Sequence, residues 1–168
     1  MDTPNDNPPL EPRLPDTDDL LLLCRRLNEA GAKYLVVGGF AIIQHGFARA
    51  TEDIDLLIDT SPENFAKVQT ALMGLPDGAV REVNATDFDE CLVVRVADEI
   101  VVDLMRQACG IDYAEASRDM VIIPVCGVNI PLATPRLLLR MKQTYREKDV
   151  LDRQFLNELL KNERPPPA

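Results

Sequence analysis

The hydrophobic positions along this 168-residue chain change period several times, and each change marks an element. Leu20, Leu23, Cys24 and Leu27 recur at helical spacing behind Asp16-Thr17-Asp18-Asp19, which offers N-cap side chains, and Gly31 ends the run. A helix over about 20–30 follows. Tyr34-Leu35-Val36-Val37 is a continuous apolar strand, broken by Gly38-Gly39, and 40–44 reads as a short helix stopped at His45-Gly46. Asp53-Ile54-Asp55 then opens a second apolar run, Leu56-Leu57-Ile58. Strand side chains alternate between faces, so Asp53 and Asp55 are expected on one face and Ile54 in the core. Ser61-Pro62-Glu63 is a strong helix start, with N-cap serine, proline and acid in order, for a helix reaching about Met73.

The second half reads as strands, then helices. Residues 79–83 predict a weak strand, 91–96 a better one, and Ala97-Asp98-Glu99 a hairpin connection into a strand over 100–105. A helical turn is expected over 112–118. Val121 to Val125 is a strand whose Pro124 suits a sheet edge or a bulge, with 127–130 pairing back on it. Thr134-Pro135 starts a helix to about Arg146, and a second covers about 150–161. The result is an α/β (α+β) fold: a mixed sheet with helices packed against it, followed by C-terminal helices over about 134–161. Prolines dominate residues 1–16 and the tail 164–168, predicting disordered ends around a single domain over 17–163.

Composition narrows the partners. Hydrophobic content of 46% is that of a globular protein, and no apolar run approaches the ~20 residues of a membrane span. The polar, acidic N-terminal stretch is unlike a secretory leader. Cys24, Cys91, Cys109 and Cys126 show no C-x-x-C spacing and sit among apolar neighbours. They are expected as buried free thiols in a reducing, cytoplasmic setting. A net charge of −10, with no basic stripe interleaved with aromatics, argues against duplex DNA as a partner.

The candidate chemistry lies in the stretch 34–59. Two carboxylates on one face repel each other and lose solvation, and a divalent cation between them is the usual resolution. The glycine pair ahead of them permits close backbone approach and opens a helix N-terminus, which favours phosphate. Asp103 stands in the apolar run Ile100 to Met105, where a lone ionised carboxylate costs several kcal/mol to bury. A metal shared with Asp53 and Asp55 would offset that cost; a strand end facing water would avoid it. Plainer roles exist for the neighbours. Arg49 could pair with Glu52, Thr51 could shape the strand entry through a local hydrogen bond, and His45 could cap a helix end. Lys142, Lys148, Asp149 and Asp152 could form a solvated helix face.

Val37-Gly38-Gly39, then Arg49-x-Thr51-x-Asp53-Ile54-Asp55-Leu56, then Asp103 on a later apolar strand resemble the polymerase β-type nucleotidyltransferase superfamily. The Arg-x-Thr-x-Asp-Ile-Asp-Leu form is similar in particular to the AbiEii-like branch, which includes toxins of toxin–antitoxin and abortive-infection systems. Lys142-x3-Arg146-x-Lys148-Asp149-x2-Asp152 resembles the downstream lysine and Lys-Asp elements of that branch. The resemblance implies transfer of a nucleoside monophosphate from a nucleoside triphosphate such as ATP to an acceptor hydroxyl. The metals would be Mg²⁺ or Mn²⁺, held by Asp53, Asp55 and Asp103, with Asp103 also able to take the acceptor proton. Gly38, Gly39, Arg49, Thr51 and Lys142 would bind the nucleotide. Gly39 stands where the family often has serine, so its contribution would be its backbone N–H. The acceptor could be RNA such as a tRNA end, a protein or a small molecule, and an antitoxin is the implied protein partner. The alternative is a catalytically inactive module of the same fold that binds a nucleotide or a protein.

Overall fold

The computed structural model describes residues 11–163. Its elements, in chain order, begin with helix α1 (Thr17–Glu29), strand β1 (Tyr34–Val37), helix α2 (Gly38–Gln44), strand β2 (Ile54–Ile58) and helix α3 (Pro62–Leu72). A short helix α4 (Asp87–Glu90), strands β3 (Val93–Ala97) and β4 (Val101–Met105), and a small hairpin of β5 (Gln107–Ala108) and β6 (Ile111–Asp112) follow. Helix α5 (Tyr113–Ala116), strands β7 (Met120–Val125) and β8 (Val128–Ala133), and helices α6 (Pro135–Met141) and α7 (Glu147–Lys161) complete the chain. Among the described residues no helix is long and apolar enough to cross a membrane.

Six strands form one mixed sheet in the order β3-β4-β2-β1-β8-β7. β1 runs antiparallel to β2 and parallel to β8, while β2 runs parallel to β4. The two central strands β1 and β2 are the most apolar and the most buried, as expected of strands covered on both faces. Helix α1 packs on α3 and β8, α2 packs on β2 and α6, and α6 packs on α7. This is the expected mixed sheet with helices against it.

The caps follow the expected chemistry. Asp16 and Asp19 form a reciprocal capping box at α1, and Ser61 and Thr134 accept hydrogen bonds from Asn64 and Leu137 at the starts of α3 and α6. Asn64 is itself buried and ties α3 to the strand entry by bonding the backbone of Lys33 and the carbonyl of Asp59. β7 is one of the two sheet edges, where Pro124, which has no N–H to donate, is tolerated. The disordered arm expected over 1–16 falls outside the described residues up to residue 10, as does the tail 164–168. Within 11–16, the Arg13 N–H donates to the Glu99 carbonyl and Pro15 is buried.

Three local expectations are corrected. Residues 79–83 are not a strand but a 3₁₀ turn over Ala79–Glu82, entered through Gly78 at φ 60°. Three backbone N–H groups of this corner, those of Asp77, Ala79 and Glu99, converge on the buried Asp98 carboxylate. Burial pushes Asp98 up, yet these donors hold it below the usual carboxylate range. The helix from Thr134 ends at Met141 rather than Arg146, and 142–146 instead form the turn into α7. Of the four free cysteines only Cys24 is buried; Cys91, Cys109 and Cys126 are exposed. Cys109-Gly110 and Cys126-Gly127 are two-residue hairpin turns in which all four residues have positive φ, the primed geometry that joins twisted strands.

Candidate active site

The site is laid out by strand register. Across one row of the sheet, Arg95 on β3 lies opposite Asp103 on β4, Asp103 lies beside Asp55 on β2, and Asp55 lies opposite Val37 at the end of β1. Asp53 immediately precedes β2 and reaches the same place. Carboxylate oxygens of Asp53, Asp55 and Asp103 lie within 4.8 Å of one another. The sequence expectation that these three residues converge therefore describes their geometry. Asp103 is not at a strand end: it is central in β4 and only 6% exposed.

The group that offsets the burial of Asp103 in this structure is Arg95. Its Nε and Nη2 donate to the two Asp103 oxygens, each at 2.9 Å, and Nη2 also reaches Asp53 at 3.2 Å. Arg95 is not among the residues that the sequence patterns single out. The signal was present: a hairpin turning through 97–99 pairs position 95 with position 103. The Arg95 guanidinium, hydrogen-bonded to Asp103 and beside Asp53, is held even more firmly protonated than usual.

One cation does not balance three carboxylates. Burial, and then repulsion from Asp53 and Asp103, push Asp55 up to about 7. Asp53 is likewise raised, chiefly by burial and then by Asp103, against the opposing pull of Arg95 and Lys148.

The glycine pair is tied to these side chains. A Cβ on Gly38, whose φ is 67°, would fall 2.0 Å from Asp55 Oδ2, so the missing side chain is the space the carboxylate occupies. A Cβ on Gly39 would fall 2.5 Å from Thr51 Oγ1 and 3.2 Å from Arg49 Nη2. Any side chain at 39 would displace both residues. Thr51 itself donates to the Asp53 carbonyl at 3.1 Å, the local strand-entry bond its position suggested.

Opposite the carboxylates stands a second charged cluster, built by the turn between α6 and α7. Lys142, 6% exposed, donates to Asp149 at 3.2 Å and lies 3.0 Å from Asp152. Arg49 pairs with Asp152 at 2.9 Å, not with Glu52, and Arg146 pairs with Asp149 at 3.0 Å. Thr144 also donates to Asp149. Asp149 and Asp152 are almost completely buried and Lys142 is buried with them, so the expected solvated face is corrected for these three, whereas Lys148 is exposed as expected. Burial raises Asp149, but hydrogen bonds from Thr144, Arg146 and Lys142 outweigh it and leave the carboxyl below its usual range. Phe47 stacks on Phe155, centroids 4.9 Å apart, and fastens the Arg49 loop to α7. His45 is the last-turn residue of α2 and closes it through its backbone N–H, while its side chain leaves the helix end and places Nε2 2.8 Å from the Ala133 carbonyl of β8, a structural role.

Between the clusters lies a cavity of about 380 Å³. Gly38, Gly39, Arg49, Thr51, Lys142 and all three aspartates line it, so every sequence-named site residue meets there. Lys148 and Arg146 stand on the basic side; Leu92, Val93 and Met105 supply an apolar wall. The donor set of the trio is entirely carboxylate oxygen with no thiolate or imidazole, which suits a hard divalent cation such as Mg²⁺ or Mn²⁺.

No family model matches the chain, and no curated protein matches its sequence. Among solved structures it is similar to an antigenic nucleotidyltransferase-like protein from Paracoccidioides brasiliensis, at 18% identity over 83% of this chain and 74% of that one, with a TM-score of 0.51. It is also similar to a candidate nucleotidyltransferase from Thermotoga maritima, at 15% identity over 90% of this chain and 98% of that one, with a TM-score of 0.49. The likeness is one of fold: the chain has a nucleotidyltransferase-like fold.

Proposed function

We propose that the protein is a metal-dependent nucleotidyltransferase that moves a nucleoside monophosphate from a nucleoside triphosphate to an acceptor hydroxyl. The observation that carries this reading is the convergence of Asp53, Asp55 and Asp103 in a cavity that Arg49, Lys142, Arg146 and Lys148 also line. Asp53, Asp55 and Asp103 would hold Mg²⁺ or Mn²⁺, which when bound supplies charge neutralisation and Lewis acidity at the phosphates. Lys142, Arg146 and Lys148, which line the same cavity, attract the triphosphate, and the Gly39 backbone N–H at the start of α2 serves as a phosphate donor. In the transfer, the acceptor oxygen bonds to the α-phosphorus as the bond to the β-phosphate bridge breaks and pyrophosphate leaves. Asp103 accepts the proton of the acceptor hydroxyl.

The AbiEii-like, toxin-type assignment rests on Arg49-x-Thr51-x-Asp53-Ile54-Asp55-Leu56. It gains support from the C-terminal Lys142, Lys148 and Asp149, which line the same cavity although they lie some ninety residues away in the chain. On that assignment the acceptor is RNA or protein and a cognate antitoxin is the binding partner; a small-molecule acceptor fits the same chemistry. One observation favours the inactive binding module instead: Arg95 already neutralises Asp103 without a metal.

Thermal-shift measurements over the four nucleoside triphosphates, with and without Mg²⁺ or Mn²⁺, test the reading. A metal-dependent rise in Tm with at least one triphosphate is expected through mass-action linkage. The absence of a shift with every pair at millimolar ligand would overturn the nucleotide assignment.

A further inference from the structure

The Asp103 carboxylate has a cation on both oxygens, and that cation is placed to leave. Arg95 sits on β3, the outermost strand of the sheet on that side, and its side chain is 60% exposed, whereas Asp103 is buried. The guanidinium bridges from its own strand over β4 to Asp53, engaging two of the three trio members through three hydrogen bonds. An aspartate fork of this kind occupies the lone pairs that face it. A divalent ion held by Asp53, Asp55 and Asp103 needs oxygens from that same set, and its two charges would stand beside the guanidinium in a partly desolvated site. The two cations therefore compete for the Asp103 and Asp53 oxygens, and Arg95, with its side chain 60% exposed, has solvent to move into.

We infer that Arg95 is a resident counter-ion that holds the carboxylate trio together in the metal-free protein and must swing out of the trio for a divalent cation to bind. The inference rests on the metal reading of the trio above. It gives Arg95 two opposed effects: it stabilises the metal-free fold and weakens metal affinity. A purely structural ion pair would show only the first. An arginine that helps to hold the metal or its triphosphate would show the reverse of the second.

The experiment measures Mn²⁺ binding without nucleotide, by electron paramagnetic resonance, on the full chain and on Arg95→Gln and Arg95→Lys. Melting is followed in parallel in EDTA and in excess Mg²⁺. Arg95→Gln is expected to bind Mn²⁺ ~10-fold more tightly, since a charge beside the site is removed. It should also melt below wild type in EDTA and gain more from Mg²⁺. Arg95→Lys, a point charge that cannot fork, should fall between. The double variant Arg95→Gln/Asp103→Asn removes both partners and should recover melting in EDTA while binding Mn²⁺ poorly, which guards against a general folding defect. Equal or weaker Mn²⁺ affinity in Arg95→Gln than in wild type overturns the inference and leaves the metal site standing. If neither protein binds Mn²⁺ at millimolar concentration, the metal reading itself fails and the inference with it. Identical melting of wild type and Arg95→Gln in EDTA would remove the counter-ion role on its own.

Discussion

The cavity is bounded by two clusters that each mix carboxylates with cations, and they solve the same electrostatic problem in opposite ways. On the α6–α7 side, Asp149 and Asp152 are buried and answered by Lys142, Arg49, Arg146 and Thr144, and the Asp149 carboxyl is pulled below its usual range. On the sheet side, three carboxylates share one exposed arginine, and Asp53 and Asp55 are pushed upward. The first cluster is nearly complete in itself; it joins α7 to the Arg49 loop and holds Lys142 at the cavity wall. The second is short of positive charge. A group of carboxylates left under-neutralised in a cavity could take up a cation from outside.

That contrast predicts different responses to the loss of a charge. Asp152→Ala leaves Arg49 and Lys142 short of a buried partner, and breaking such a cluster should cost about 3 kcal/mol or more in denaturant unfolding. A loss below about 1 kcal/mol would show that the α6–α7 cluster is not structurally committed. Gly39→Ser forces a Cβ into Thr51 and Arg49 and should cost ~2 kcal/mol by the same measurement, the scale of an overpacked site.

The sheet-side cluster should respond with the opposite sign. Asp53→Asn and Asp55→Asn each relieve repulsion, so metal-free stability should hold or rise while the metal-dependent thermal shift disappears. For Asp55 the effect carries a pH signature. Its folded-state pKa, about 7, lies above the value of an unfolded aspartate near ~3.9, so the native state binds the proton more tightly. Its contribution to stability is then fully present below pH ~4 and is lost as pH rises through about 7. The gain from Asp55→Asn in EDTA should therefore vanish near pH 4, grow as pH rises, and level off once pH has passed about 7. A gain independent of pH would point to packing rather than charge.

How much of this was legible in the sequence depends on what kind of signal each residue gives. Asp53 and Asp55 were readable because alternation along a strand is a local rule, and Asp103 because a carboxylate inside an apolar run conflicts with its surroundings. Arg95 required one further step, the register of the hairpin that pairs it with Asp103. The inward turn of Asp149 and Asp152 was less accessible. Charges at this spacing on a helix read as a solvated face, and only the fold of the α6–α7 turn brings Lys142 and Arg49 against them. Residues 79–83 misled for a related reason: their apolar positions serve a 3₁₀ corner organised by the buried Asp98, which no local period reports. Cysteines beside glycine marked turns, and the apolar character of their neighbours hid it.

On the proposed function the three carboxylates perform transfer and not merely binding, and Asp103 separates the two most directly. Wild type and Asp103→Asn would be incubated with labelled triphosphates, Mg²⁺ and total cellular RNA and protein, following label in each fraction and released pyrophosphate, with triphosphate affinity measured alongside. Asp53 and Asp55 remain to engage the nucleotide, so the variant should keep most of its affinity. It should lose transfer by a factor of ~100 or more, the scale of a positioned acid–base group. Equal labelling by wild type and Asp103→Asn would contradict the three-carboxylate account.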